Sequence, residues 1–317
     1  MRLRPTLCKT LLSGLLLFAV NACAGEDQDS LDWLKVVAFA AHQTDYSGVY
    51  VYQYDNRVET SRITHVVEPD GEYEKIESLD GPKREIIRHH GQIWCCISHK
   101  MVQVDSQQGR SRFPALLPEQ LVALSENYQV KDAGLERVAG YNTQVILFQP
   151  KDNLRYIYKI WAHTDSGLLL KAAALGEKNQ LIEQYAFAQL QIGGNIDRSW
   201  IAGLPVSPET AKNGIAINSG WVVDALPAGF KKIREFQRQM RGRHAPVTQI
   251  VFSDGLSAIS IFVEPADGGE DDADGLSSFG AMNLYRKILN KQLITVVGEA
   301  PPRTVMQVLG SVRYNGK

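Results

Sequence analysis

The segment Val49-Tyr50-Val51-Tyr52-Gln53-Tyr54 carries the pattern that decides the fold. Successive side chains of a β-strand point to opposite faces, so the two valines lie on one face and the three tyrosines on the other. Large apolar groups on both faces predict a strand that is covered on both sides. About ten such strands, separated by short turn sequences, follow in the first two thirds of the chain. They predict a large antiparallel sheet or open β-barrel that carries few helices.

One helix is predicted in front of this sheet. Residues 29–42 place Leu31, Leu34, Val37, Ala38 and Ala41 at helical spacing on one face. The helix is therefore expected to pack that face against the first strands.

A second unit follows a change in composition near Leu204. The sequence Leu204-Pro205-Val206-Ser207-Pro208, with Asn213-Gly214 after it, is typical of a linker. Beyond it, an Asp254-Gly255 turn predicts a hairpin, and an amphipathic stretch at 301–312 predicts a closing helix. We therefore predict an N-terminal domain at 25–204, a linker at 205–220 and a smaller α+β domain at 221–317.

The first 24 residues have the features of an export signal. Arg2, Arg4 and Lys9 precede a short apolar run at 11–20, and Ala22-Cys23-Ala24 supplies the small residues of a cleavage site. We therefore expect a mature protein that is released soluble into the periplasm. The alternative is a lipoprotein anchored through Cys23, but Asn21 is unusual in the motif that this requires.

Composition and cysteine content narrow the class of protein. The chain has 317 residues and a formal net charge of −1, so no general attraction to nucleic acid is expected. The cysteines of the predicted folded part, Cys95 and Cys96, are neighbours on a strand and point to opposite faces. They are poorly placed to bridge each other, and the role of the pair is left open.

The sequence lacks the motifs of common catalytic and metal sites. It contains no H-E-x-x-H, no G-x-S-x-G and no phosphate-binding glycine loop. His89-His90 falls in a predicted hairpin turn and is expected to be solvated, as is the acidic loop at 267–274. The sequence therefore favours a binding protein, with no cofactor and no metal, over an enzyme.

Two sets of residues suggest binding. The first is amphipathic aromatic area on the strands, which could accept acyl chains or could simply fill the core. Its members are Tyr50, Tyr52, Trp94, Tyr156, Tyr158 and Trp161. The second is a basic cluster that suits phosphate or an acidic partner, or else forms a solvated charged face. Its members are Lys231, Lys232, Arg234, Arg238, Arg241 and Arg243.

Several longer motifs follow one another along the chain. They are Tyr46-Ser47-Gly48-Val49-Tyr50-Val51-Tyr52, Leu79-Asp80-Gly81-Pro82-Lys83-Arg84-Glu85-Ile86-Ile87-Arg88, Asp165-Ser166-Gly167-Leu168-Leu169-Leu170-Lys171, Trp221-Val222-Val223-Asp224-Ala225-Leu226-Pro227-Ala228-Gly229-Phe230, Phe252-Ser253-Asp254-Gly255-Leu256-Ser257 and Val297-Gly298-Glu299-Ala300-Pro301. In this order they resemble the RseB/MucB family of sigma-E regulators, and together they span nearly the whole of the predicted mature chain.

The resemblance implies both an architecture and a role. It implies an N-terminal domain similar to the LolA/LolB lipoprotein carriers, an open β-barrel with helices on one side. It also implies a periplasmic regulator that binds the periplasmic part of a transmembrane anti-sigma factor of the RseA/MucA type and protects it from site-1 proteolysis. Lipopolysaccharide, or another acyl-chain ligand, would lift that protection. A homo-oligomer is left open.

Two other functions compete with this role. The same barrel could serve a periplasmic lipid or lipoprotein carrier, although a pure carrier would not need the C-terminal domain. A secreted hydrolase is disfavoured because the nucleophile and metal motifs are missing.

Overall fold

The computed structural model describes residues 23–97, 100–104, 113–117, 121–204, 214–240, 245–266 and 275–316. Residues 1–22 of the predicted signal peptide, most of the predicted linker, Arg241, Arg243 and the predicted acidic loop at 267–274 lie outside these ranges. None of the helices within them combines the length and the apolar character needed to cross a membrane.

The N-terminal part is built on a single 11-stranded antiparallel sheet. Its strands are β1 Tyr46–Tyr54, β2 Arg57–Glu68, β3 Gly71–Ser78, β4 Arg84–His89, β5 Gln92–Ile97, β6 Lys100–Val104, β7 Tyr128–Val138, β8 Tyr141–Pro150, β9 Ile157–His163, β10 Leu169–Leu175 and β11 Leu181–Ile192. They lie in the order β6-β5-β4-β3-β2-β1-β11-β10-β9-β8-β7. The end strands β6 and β7 do not pair with each other in the described ranges, so the sheet is open, which confirms the predicted fold class.

Helix α1, at Cys23–Gln43, covers one face of this sheet. Leu34, Val37, Ala38 and Ala41 are buried in the main core with strand residues such as Leu169. Burial of each large apolar side chain contributes about 1.5–3 kcal/mol. The predicted helix face is therefore the face that packs. A short helix, α2 at Val122–Asn127, precedes β7, and a 3-10 turn at Ser199–Gly203 follows β11.

The C-terminal part holds a smaller, seven-stranded sheet. Its strands are β12 Ile215–Ala216, β14 Lys231–Arg238, β15 Val247–Ser253, β16 Ala258–Pro265, β17 Gly275–Phe279, β18 Met282–Leu289 and β19 Gln292–Gly298, in the order β12-β14-β15-β16-β19-β18-β17. Two further short strands, β13 Trp221–Val223 and β20 Val312–Tyr314, pair with each other.

Helix α3, at Pro302–Gly310, closes the C-terminal core. Its residues Val305 and Val308 are fully buried in a cluster with Ile261 and Val296 of the sheet. The hairpin of β15 and β16 turns at the predicted Asp254-Gly255 pair, where Gly255 has a φ of 104°. The smaller α+β domain expected from the sequence is therefore present.

Candidate functional site

A cavity of about 350 Å³ lies between one face of the large sheet and the turns of the C-terminal domain. This volume is at the lower end of the range for small-molecule sites. Residues from both parts of the chain line it, so its shape depends on how the two sheets are held together.

An aromatic wall is the most prominent part of the cavity. Tyr52 and Tyr185 are cross-strand partners on β1 and β11, and their rings stack with centroids 4.2 Å apart. The rings of Tyr50 and Phe113 have centroids 5.6 Å apart, and Tyr158 of β9 completes the wall. Three of the residues predicted from the sequence, Tyr50, Tyr52 and Tyr158, therefore share one surface.

Small residues on β10 provide the open space. Ala172 pairs with Ile160 and with Tyr185 on the two adjacent strands, and Ala174 pairs with Tyr158. An alanine between two large side chains leaves a gap that a larger residue would fill. Sequence reasoning did not single out this feature, although the run of three alanines in β10 is visible.

Glu183 of β11 connects the cavity to the C-terminal domain. Its Oε2 accepts hydrogen bonds from the Tyr52 hydroxyl at 2.8 Å and from the Ala281 amide at 2.9 Å. Burial, then Tyr185 and Glu183 itself, raises the pKa of Tyr52 far above its usual value, so the phenol stays neutral and donates. Gly280 allows this contact, since a Cβ there would lie 2.4 Å from the same carboxylate oxygen.

Leu256, Phe279, Met282 and Glu299 form the side of the cavity contributed by the C-terminal domain. The Phe279 ring packs against the Tyr54 ring at a tilt of 41°, with centroids 4.3 Å apart. Its side chain is nevertheless 45 % exposed, which places it at an edge that solvent reaches. The turns of the smaller sheet therefore act as a cover over the aromatic wall.

A buried ion pair joins residues of the two domains beside the cavity. Arg155 Nε donates to Asp254 Oδ2 at 2.7 Å, and the side chains are only 1% and 0% exposed. Tyr128 donates to the same oxygen at 3.0 Å, while the other oxygen of Asp254 accepts the Ser257 amide at 2.8 Å. Arg155 also binds the backbone oxygen of Ala228. Because both charges are out of water, the pair requires this full set of hydrogen bonds.

Tyr156 belongs to a second contact between the domains. Asn283 Nδ2 donates to its hydroxyl at 2.9 Å and to the Ala300 carbonyl at 2.8 Å. Thr304 donates to the Leu154 carbonyl at 2.8 Å next to it. The structure thus places this predicted residue at the domain junction, near the cavity but apart from its walls.

The two predicted tryptophans lie elsewhere. Trp161 packs with Val145 on the other face of the sheet, donates to Glu136 at 2.8 Å and lies under the ammonium of Lys171 at 4.4 Å. Trp94 is 5% exposed on β5, opposite Ile87 and Gln103. Neither is among the described residues that line the cavity.

Lys231, Lys232, Arg234 and Arg238 of the predicted basic cluster lie along β14. Lys232 pairs with the buried Glu235 at 2.8 Å, and the guanidinium groups of Arg234 and Arg238 lie 5.4 and 5.7 Å from the Phe236 ring.

The direction of β14 separates these cations. Lys231 is opposite Ser253 at the domain junction, whereas Arg238 is opposite Val247 at the other end of the strand. At roughly 3.3 Å per residue over seven residues, these two ends are about 23 Å apart. Within the described residues, the cations therefore follow β14 away from the cavity and do not converge on one point.

The chain matches two family models and several known proteins. Residues 29–204 match the MucB/RseB N-terminal domain and residues 216–313 the MucB/RseB C-terminal domain. The sigma factor AlgU regulatory protein MucB of Pseudomonas aeruginosa is 32% identical, with 98% of each chain covered. The sigma-E factor regulatory protein RseB of Escherichia coli is 23% identical, with 96% of each chain covered.

Solved structures of MucB are also similar to this chain over most of its length. A crystal structure of MucB in complex with MucA(peri) is 30% identical, covers 91% of this chain and 100% of its own, and has a TM-score of 0.72. A structure of the Pseudomonas aeruginosa MucA/MucB complex is 29% identical, with the same coverage and a TM-score of 0.73.

Proposed function

This chain belongs to the MucB/RseB family, a family of regulatory binding proteins, and we propose that it binds the periplasmic part of a transmembrane anti-sigma factor. The observation that carries the proposal is the similarity to MucB as solved in complex with MucA, which extends over 91% of the chain. Hydrogen bonds between the N-terminal and the C-terminal domain fix the two-domain arrangement. Such a partner would bind to this arrangement.

The proposed role is protection. The chain, acting in the periplasm, shields the anti-sigma factor from the site-1 protease and so keeps the sigma factor inactive. It carries out no chemistry on its partner. Purified protein is expected to slow site-1 cleavage of the partner's periplasmic segment in stoichiometric proportion. Protection by far less than one equivalent, or cleavage of the segment by this chain alone, would refute the proposal.

The proposed signal is an acyl-chain ligand, such as detached lipopolysaccharide, in the cavity. The wall of Tyr50, Tyr52, Tyr158 and Tyr185 provides apolar area, and each methylene buried there contributes about 0.8 kcal/mol. Because the cover comes from the C-terminal domain, a chain that enters must contact or displace residues such as Phe279. Ligand can then release the partner by favouring another domain arrangement.

Substitution of Ala172 by leucine tests this cavity. The larger side chain would fill the gap beside Tyr185, so displacement of a fluorescent acyl probe by dodecanoate is expected to weaken at least tenfold. Ala188→Leu, on the exposed part of β11, is the matched control. If both variants bind dodecanoate as the native protein does, the acyl site lies elsewhere.

A lipid or lipoprotein carrier is the alternative function, and the same cavity favours it. The two are distinguished by a transfer assay between donor and acceptor vesicles without any anti-sigma factor. A carrier accelerates transfer of the labelled lipid catalytically, whereas the proposed regulator retains it and changes only partner binding. Rapid transfer together with no protection of the partner would favour the carrier.

A further inference from the structure

Two hairpin turns meet at one edge of the large sheet, away from the cavity. Asp70 lies in the turn between β2 and β3, and His90 lies in the turn between β4 and β5. Tyr73 of β3 is the register partner of His89 on β4, which brings both turns to the same end. One potential ligand atom from each of Asp70, His89 and His90 lies within 4.8 Å of the others.

The backbone of the second turn sets the position of His90. His90 and Gly91 have φ angles of 49° and 68°, the left-handed pair found in two-residue hairpin turns. This conformation stacks the His90 ring on His89 with centroids 3.6 Å apart, and the His89 ring in turn stacks on Tyr73 at 3.6 Å. The two imidazoles are therefore held side by side by packing.

Hydrogen bonds orient the nitrogens. His90 Nε2 lies 2.6 Å from the backbone oxygen of Asp70. A carbonyl only accepts, so Nε2 carries the proton and the Nδ1 lone pair remains available. His89 Nδ1 is buried and makes no hydrogen bond of standard geometry among the described residues, while the backbone of Glu72 interacts with the same ring. A buried ring nitrogen without a partner is unfavourable and requires a physical explanation.

A further hydrogen bond orients the carboxyl group of Asp70. The Tyr73 hydroxyl donates to Asp70 Oδ2 at 2.7 Å, so the tyrosine that stacks on His89 also fixes the position of this carboxyl oxygen. Outer hydrogen bonds of this kind orient the ligands of metal sites.

The geometry points to a divalent metal site formed by Asp70, His89 and His90. Zinc is the ion whose preferred ligands match these three groups best. Two imidazole nitrogens and one carboxylate oxygen suit zinc better than calcium or magnesium, which prefer oxygen ligands. Ligands in a tetrahedral zinc site are about 3.3 Å apart, so these groups must draw together by up to about 1.5 Å. Asp70 and His90 are exposed, which leaves room for that movement and for water as a fourth ligand.

Zinc titration of the untagged, chelator-treated mature chain tests the site. Calorimetry is expected to find one ion per chain, and cobalt in its place is expected to give the visible absorption of a nitrogen- and oxygen-bound ion. His90→Gln and Asp70→Asn are each expected to weaken zinc binding at least tenfold. His163→Gln, which removes a half-buried histidine on β9, is the matched control and is expected to bind zinc as the native chain does.

Nitrogen NMR of the histidine rings in the native chain gives a test that does not depend on folding of the variants. Zinc is expected to shift Nδ1 of His89 and His90 and to leave His163 unchanged. The site is refuted if no saturable binding occurs, if His90→Gln binds zinc within twofold of the native chain, or if the nitrogens of His89 and His90 do not respond.

Discussion

Replacement of Arg155 by methionine tests whether the buried ion pair holds the domains together. The substitution keeps much of the side-chain volume and leaves the Asp254 carboxylate, which is 0% exposed, without its counter-charge. Removal of one partner of a buried pair typically costs about 3–5 kcal/mol. Here the carboxylate keeps the Tyr128 hydroxyl and the amides of Leu256 and Ser257, so we expect the lower end, about 3 kcal/mol.

Urea unfolding of a four-protein cycle measures this value. The proteins are the native chain, Arg155→Met, Asp254→Leu and the double variant, and the double variant is expected to recover much of the loss since no lone buried charge remains. The pair joins two domains, so the single variants could instead unfold in two separate steps, one for each domain. That result would also show that the pair couples the domains.

An exposed ion pair provides the control for this experiment. Arg313 and Asp224 also pair, but their side chains are 52% and 53% exposed. Exposed pairs contribute about 0–1 kcal/mol, so Arg313→Met is expected to change stability by less than 1 kcal/mol. If Arg155→Met costs no more than Arg313→Met and the transition stays single, the buried pair does not stabilise the domain arrangement.

Three further predictions concern other parts of the molecule. Gly280→Ala is expected to lower the free energy of unfolding, measured with urea, by about 1–2 kcal/mol, because Gly280 has a φ of 57° and the new Cβ would meet Glu183. Gly310→Ala is the control, since its Cβ would meet nothing within 4 Å, and it should be neutral or stabilising. Hydrogen bonds from His42, followed by those from His65, lower the pKa of Glu72 from 4.5 to about 2. The contribution of Glu72 to stability is therefore present above pH 4.5 and is lost as the pH falls toward 2. In Glu72→Gln, the curve of unfolding free energy against pH should be flatter between pH 4.5 and 2. Limited proteolysis should cut first within residues 205–220, and preferred cleavage inside the C-terminal sheet would contradict the predicted linker.

The alternation of side chains along a strand predicts which residues share a face of the sheet. Applied to β9, the same rule also separates two residues that the sequence analysis had placed in one set. Tyr50 and Tyr52 are two residues apart and face the cavity together, as alternation predicts. Tyr158 and Trp161 are three residues apart on β9, so the same rule already places them on opposite faces. The structure agrees, since Trp161 packs with Val145 in a separate cluster on the other face.

The sequence by itself determined the local elements of this protein. The alternation at Val49–Tyr54, the buried face of α1 and the Asp254-Gly255 hairpin all follow from periods and turn residues that a few neighbouring positions encode. The family motifs added the overall architecture. These features are local because backbone geometry alone sets which side chains share a face.

Only the tertiary structure decided which distant residues meet. Arg155 and Asp254 come from different domains, Ala172 lies beside Tyr185 through the register of β10 and β11, and Asp70 reaches the His89-His90 turn through the register of β3 and β4. A shift of one residue in either register would turn these side chains to the other face. Register and domain placement result from many weak contacts summed over both sheets, so no short segment of the sequence contains them.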